Sequence, residues 1–278
     1  MKINTVGKGA SIVSKYMALM VWTLFAIGPF VWMLFSSFKP LNEVVTWPPS
    51  LLPQHPTFDN YINAWTMIPY SRYLLNSTLV STVSTVSVLF TSCLAAYSMV
   101  VLKSRLTKLV NILIMIGLIM PAQISFIPMF KFARTMNLID TYGGLMMPYL
   151  SSAFGVFMMS SFFKLIPFDL VDAARIDGLG EVGIVVNVVV PLAKPGLITL
   201  IIFNFMSVWR DFFWPMLLIN KTELRTIPIG LQAFWQMESQ HWGQILAASM
   251  ISIIPLLLIY LVFQKQFVQG ISWSGMKM

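Results

Sequence analysis

Six runs of about 20 or more mostly apolar residues pass through this chain, and no other feature constrains its fold as tightly. They lie near residues 16–38, 73–102, 109–130, 142–163, 196–220 and 243–264. A helix of about 20 residues crosses the hydrocarbon of a bilayer, where every backbone N–H and C=O needs a partner inside the chain. The pattern predicts an all-α polytopic membrane protein with six transmembrane helices. Composition agrees, since 57% of residues are hydrophobic and only 10% are charged, against about 25% charged in soluble domains. The first run is too long for a removable signal peptide and lacks a small-residue cleavage site, so it reads as a retained span.

Lys and Arg set the orientation. With the N-terminus inside, eleven of the 18 cations fall in inner segments and six in outer ones, leaving Arg210 within the fifth run. Both termini are therefore expected in the cytoplasm, and the segment between the fourth and fifth runs with them. The same survey removes other classes. A single cysteine, Cys93, excludes an intrachain disulfide. His55 and His241 stand without ligand-spaced neighbours, so no metal site is expected. The aromatic-basic pattern of nucleic-acid binders is lacking. "GKGA" at residues 7–10 has no Ser or Thr after its Lys and is no phosphate loop, so this chain should hold no nucleotide cofactor.

Between the fourth and fifth runs stands "VDAARIDGLGEVGIVVNVVVPLAKPG", residues 171–196. Acids, small residues and prolines gather here in a chain otherwise poor in them. Pro167 suits the first position of a helix and Gly178 the position after its end, so a short helix is expected over Pro167 to Asp177. A second, Glu181 to Val190, should stop before Pro191, because the residue before proline disfavours the α region. A span over 182–202 would instead place Asn187, Pro191, Lys194 and Pro195 in hydrocarbon, where the lysine alone costs about 2.5–3.5 kcal/mol. Ala173 and Asp177 share a helical face, as do Ala174 and Gly178, leaving backbone open to close approach. The elbow reads as a solvated loop, an interfacial helix, or a docking site for a cytoplasmic partner.

Asp172-Ala173-Ala174, then Asp177-Gly178, then Pro191 after twelve residues, resembles the EAA loop of binding-protein-dependent ABC importer permeases. Asp172 stands where the family usually has Glu, and Val186 and Asn187 replace aromatic and basic residues common late in the loop. "SSFKP" (Ser36 to Pro40), "FDNYINAW" (Phe58 to Trp65), "YLLNS" (Tyr73 to Ser77), "IPMF" (Ile127 to Phe130), "NLIDT" (Asn137 to Thr141) and "TIPIGLQAF" (Thr226 to Phe234) are similar to the carbohydrate, MalG-like branch. "WRDFFWP" (Trp209 to Pro215) resembles its W-N-x-F-x-x-P, with Arg210 in place of Asn, and the tail "FVQGISWSGMKM" also fits.

That resemblance implies a bacterial or archaeal cell-membrane subunit with defined partners. These are a second homologous permease, two ATP-binding subunits that hold ATP and Mg, an extracytoplasmic solute-binding protein, and a sugar-class solute. It implies that Asp172, Ala173, Ala174, Asp177, Gly178 and Pro191 couple to the ATP-binding subunits, with Gly275 and Lys277 of the tail as further contacts. The chain reads as one permease domain, 1–278. It comprises a cytoplasmic segment 1–15, the first span and outer loop 16–72, and a core 73–265 containing the coupling loop 165–195. A cytoplasmic tail, 266–278, follows. Arg210 and Asp211 inside the fifth run would be costly against lipid, so they are expected to face protein or a wet cavity. With Trp209 and Asn204 they are candidates for the solute path, and Asn76, Ser77 and Gln123 are weaker ones that could equally join helices. An ion-coupled secondary transporter remains the alternative. It would call for matched broken helices, and no internal repeat is visible.

Overall fold

The computed structural model describes residues 4–103, 105–235 and 241–275, and among these every regular element is helical. The chain divides into two compact units, one of Met1–Ile68 with Leu231–Ile253, the other of Pro69–Gly230 with Ile254–Met278.

The first unit opens with α1 (Asn4–Ser37), followed by α2 (Leu41–Val44) and α3 (Asp59–Thr66). Rings such as Trp22 and Phe25 on α1 are more than 70% exposed, a surface suited to lipid rather than water. At its far end the polarity reverses. Buried Asn60 of α3 donates from Nδ2 to the Ser37 and Lys39 carbonyls at 2.9 and 2.7 Å, satisfying the last turn of α1. Ser37 Oγ and Tyr61 Oη share a hydrogen bond of 2.7 Å, so "SSFKP" and "FDNYINAW" close on one another.

In the second unit come α4 (Tyr70–Val100), α5 (Thr107–Ile119), α6 (Gln123–Thr135), α7 (Tyr142–Met146) and α8 (Ala153–Phe163). Then follow α9 (Phe168–Ile176), α10 (Glu181–Ile184), α11 (Val190–Leu192), α12 (Lys194–Trp209) and α13 (Phe213–Leu218). Two helices close the chain, α14 (Ile227–Trp235) and α15 (Trp242–Gly275). The core forms where α4 meets α8 and α12, with Val88, Ala96, Met159, Phe163 and Leu200 buried together. Small residues let these helices approach. A Cβ on Gly155 of α8 would stand 2.4 Å from Ser92 Oγ and 3.0 Å from Val88 Cγ1 of α4.

Three helical segments are long and apolar enough to cross a membrane, Val13–Ser37, Tyr70–Val100 and Trp242–Gln264, close to the first, second and sixth expected runs. The others are broken. The third run is two helices, Thr107–Ile119 and Gln123–Thr135, bent by 105°. Its break follows from Pro121, which holds Met120 at ψ 126 instead of the helical value. The fourth is a pair bent by 45°, Tyr142–Tyr149 and Ala153–Phe163.

The fifth differs most from expectation. Its helix ends at Trp209 rather than running to Asn220, and it is joined at 81° to Glu181–Leu192. Nor does the elbow's second helix stop before Pro191. It passes through a π turn at Val185–Val189 and on to Leu192. A proline has no N–H and its ring crowds the carbonyl four residues back, and the wider π turn just upstream accommodates both.

Gly155→Val tests the packing of α8 on α4. Overpacking a tight core costs about 1–3 kcal/mol, so the purified protein in detergent should unfold at a lower temperature than the parent.

Candidate functional site

The elbow is built so that one face of α9 is committed to the core and the other is left open. Val171 and Ala174 are buried, packing with Phe163, Ile166, Ile184 and Val189. Asp172, Ala173, Ile176, Asp177 and Gly178 are exposed. Ala174, expected among the residues open to close approach, thus faces inward. A face that carries Val171 also carries Ala174, three positions on.

The helix stops in a way the sequence foretold. Gly178 has φ +87, its N–H donates to the Arg175 carbonyl at 3.0 Å, and Leu179 N–H donates to the Ala174 carbonyl at 3.0 Å. These paired bonds close the last turn around a left-handed residue. A Cβ on Gly178 would meet nothing within 4 Å, so its backbone conformation, not crowding, demands glycine.

Three side chains then tie the two arms of the elbow to the core. Arg175 donates from Nε to Glu181 Oε1 at 3.0 Å and from Nη1 to Asp172 Oδ1 at 3.3 Å. Glu181 Oε2 accepts from Tyr97 Oη near the end of α4. Lys103, just beyond α4, lies 5.1 Å from the Phe168 ring centre. The bond to Glu181 raises the Arg175 guanidinium above its usual pKa, so it stays a cation throughout. This network escaped sequence reading because Tyr97 and Glu181 stand 84 positions apart. Within the loop, the order Asp172, Arg175, Glu181 is its only trace.

The candidate solute-path residues divide. Asn76 is buried and fully engaged, donating to the Glu223 and Arg225 carbonyls at 2.8 and 2.9 Å and accepting from Tyr142 Oη at 2.7 Å. Ser77 Oγ accepts the Ile227 N–H at 2.8 Å. Both fasten the segment leading into α14. Trp209 is buried and stacked on Phe205 with ring centres 5.5 Å apart, so it offers no open face. Asn204 donates to Thr85 Oγ1 across to α4 at 3.2 Å.

Arg210 is exposed at the end of α12, and Gln123 is exposed on the first turn of α6. Asp211 lies outside any helix. Its Oδ1 accepts the N–H groups of Phe213 and Trp214 at 2.9 and 3.4 Å, starting α13, and its Oδ2 accepts from Tyr149 Oη at 2.5 Å. Arg210 and Asp211 thus serve different ends despite adjacency. Gly275 is the final residue of α15, and Lys277 lies outside the described residues.

Residues 87–273 match the family "Binding-protein-dependent transport system inner membrane component". The chain is 32% identical to the diacetylchitobiose uptake system permease protein NgcG of Streptomyces coelicolor, over 91% of this chain and 85% of that one. It is also 32% identical to the sulfoquinovosyl glycerol transport system permease protein SmoH of Agrobacterium fabrum, over 95% and 93%. A chain in the crystal structure of a bacterial ABC transporter that imports alginate superposes with a TM-score of 0.83 at 23% identity, covering 96% of this chain and all of that one.

Tyr97→Phe isolates the tie between elbow and α4. Amide hydrogen exchange across residues 168–192 should accelerate while the global unfolding temperature changes little, because the lost bond constrains a local unit rather than the core.

Proposed function

The chain belongs to the family of binding-protein-dependent transport system inner membrane components, and from that premise we propose how it works. It serves as one permease of an ABC importer for sugars or oligosaccharides. A solute-binding protein delivers the solute outside, a second homologous permease completes the path, and two ATP-binding subunits supply the energy. Six membrane crossings, with the three bent pairs each counted as one, leave both termini and the elbow in the cytoplasm. Support comes from the Lys and Arg distribution and from the relatives, whose names describe diacetylchitobiose uptake and sulfoquinovosyl glycerol transport.

One observation carries the coupling role. The loop that resembles the EAA pattern folds into a short helix whose outward face is Asp172, Ala173, Asp177 and Gly178, and whose inward face, Val171 and Ala174, is set into the core. A partner gripping the outward face therefore moves the core as well. When the ATP-binding subunits close on ATP, the elbow travels with them. Val171 and Ala174 press the motion into α8 and α12, while Glu181 and Tyr97 draw α4 along. Such coupling needs a docked surface whose free energy differs between inward- and outward-open states.

Ala173→Trp is the discriminating variant. Position 173 is exposed and in ordinary helical conformation, so bulk there obstructs a partner without straining the fold, as any side chain at Gly178 would. In the reconstituted importer with its solute-binding protein, solute uptake should fall at least about tenfold, as expected for loss of a central interface contact. The variant's own unfolding temperature should hold. Parental uptake with Trp at 173 would overturn the coupling role.

A further inference from the structure

The breaks in the helices of the second unit converge. The bend at Met120–Ala122, the bend after Tyr149, and the gap between Trp209 and Phe213 all border one cavity of about 300 Å³. Met120, Ser125 and Phe126 line it from the first break, Tyr149 from the second, and Asp211 and Trp214 from the third. Breaks at membrane depth are tolerated only where the freed backbone meets protein or water. Here Pro121 has no N–H to give the Gly117 carbonyl, and Gly117 is on the cavity wall.

Its polar wall has a definite sign. Asp211 Oδ1 is taken by two backbone N–H groups, but among the described residues Oδ2 accepts from Tyr149 Oη alone, and the Tyr149 oxygen, having donated, still accepts. The open sites on Asp211 and Tyr149 are thus acceptors beside a fixed negative charge. Phe126 also lines the cavity, stacked on Phe213 with ring centres 6.3 Å apart, an apolar plane suited to the C–H face of a sugar ring. Arg210 is exposed and is not among the residues that line the cavity.

We propose that this cavity is a resting site for a neutral polyhydroxylated solute, whose hydroxyls donate to Asp211 and Tyr149 and whose ring lies against Phe126. An anionic sugar brings acceptors to an acceptor wall and is repelled. The proposal rests on the importer reading but is separable from it.

The test uses the complete importer with its binding protein, in proteoliposomes. The probes are tritiated diacetylchitobiose, maltose and arabinotriose, with a uronic-acid disaccharide as the anionic competitor. Ser125→Trp should lower uptake of the best neutral probe about tenfold or more while ATPase stimulation by the binding protein persists. In a Cys93→Ala background, Ser125→Cys should react with a small thiol reagent more slowly when that probe is present. Asp211→Asn, which keeps the acceptor for α13, should let the uronic-acid compound compete where the parent excludes it.

ATP-dependent uptake that is indifferent to Ser125→Trp, or alkylation of Cys at 125 that the sugar does not slow, overturns the site. Equal competition by the anionic compound in the parent overturns the neutral selectivity. Absence of any ATP-dependent uptake in the parent instead defeats the importer reading.

Discussion

Hydrocarbon gives backbone polar groups nothing to bond to, and the rest of this structure follows from that constraint. It makes every regular element among the described residues a helix, and it makes each interruption expensive unless other atoms receive the freed groups. Interruptions are therefore informative. Ser152 receives the Gly155 N–H at the start of α8, and Ser87 Oγ donates to the Leu150 carbonyl just before it. Asp211 receives two N–H groups where α13 begins. These two breaks are dressed by polar side chains that would have no reason to sit in a continuous span.

The same constraint divides what could be read in the sequence from what could not. Long apolar runs bounded by polar loops announced the membrane-length segments Val13–Ser37, Tyr70–Val100 and Trp242–Gln264 to within a few residues, because length and hydropathy alone set a crossing. Helices α1 and α15 extend well beyond those segments. Gly178 announced the end of α9, since only glycine takes a left-handed residue without cost. The broken segments were harder. The third run holds both Pro121 and Pro128, yet the sharp bend is at Pro121, while α6 continues through Pro128. A proline signals a missing donor, and whether the helix kinks or stops depends on neighbours that only the fold supplies. Pro191 makes the converse case, where a π turn let the helix pass.

The polar residues teach the same lesson. Asn76, Trp209 and Asp211 were all reasonable solute contacts, because polar or aromatic groups in apolar runs need partners. In Asn76 and Trp209 the partners proved internal, carbonyls near Arg225 and the Phe205 ring. Sequence gives the need for a partner without its address. Arg175 and Glu181 were visible as charges, but their link to Tyr97 required the elbow to fold back onto α4.

The lever we propose must be stiff along its length and attached at both ends, and the elbow meets both demands by different physics. Its stiffness comes from burial: Val171, Ala174, Ile184 and Val189 are almost wholly enclosed and cannot shift without moving their neighbours in a close-packed core. Its attachment to α4 comes from polar bonds at a half-exposed rim, where Arg175, Glu181 and Tyr97 meet. Exposed ion pairs contribute little to stability, so this rim is poorly suited to holding the fold together. It is well suited to directing motion, because hydrogen bonds from a planar guanidinium to a carboxylate fix direction as well as distance. The buried contacts pack the elbow against α8 and α12, and in the coupling we propose the rim links its motion to α4.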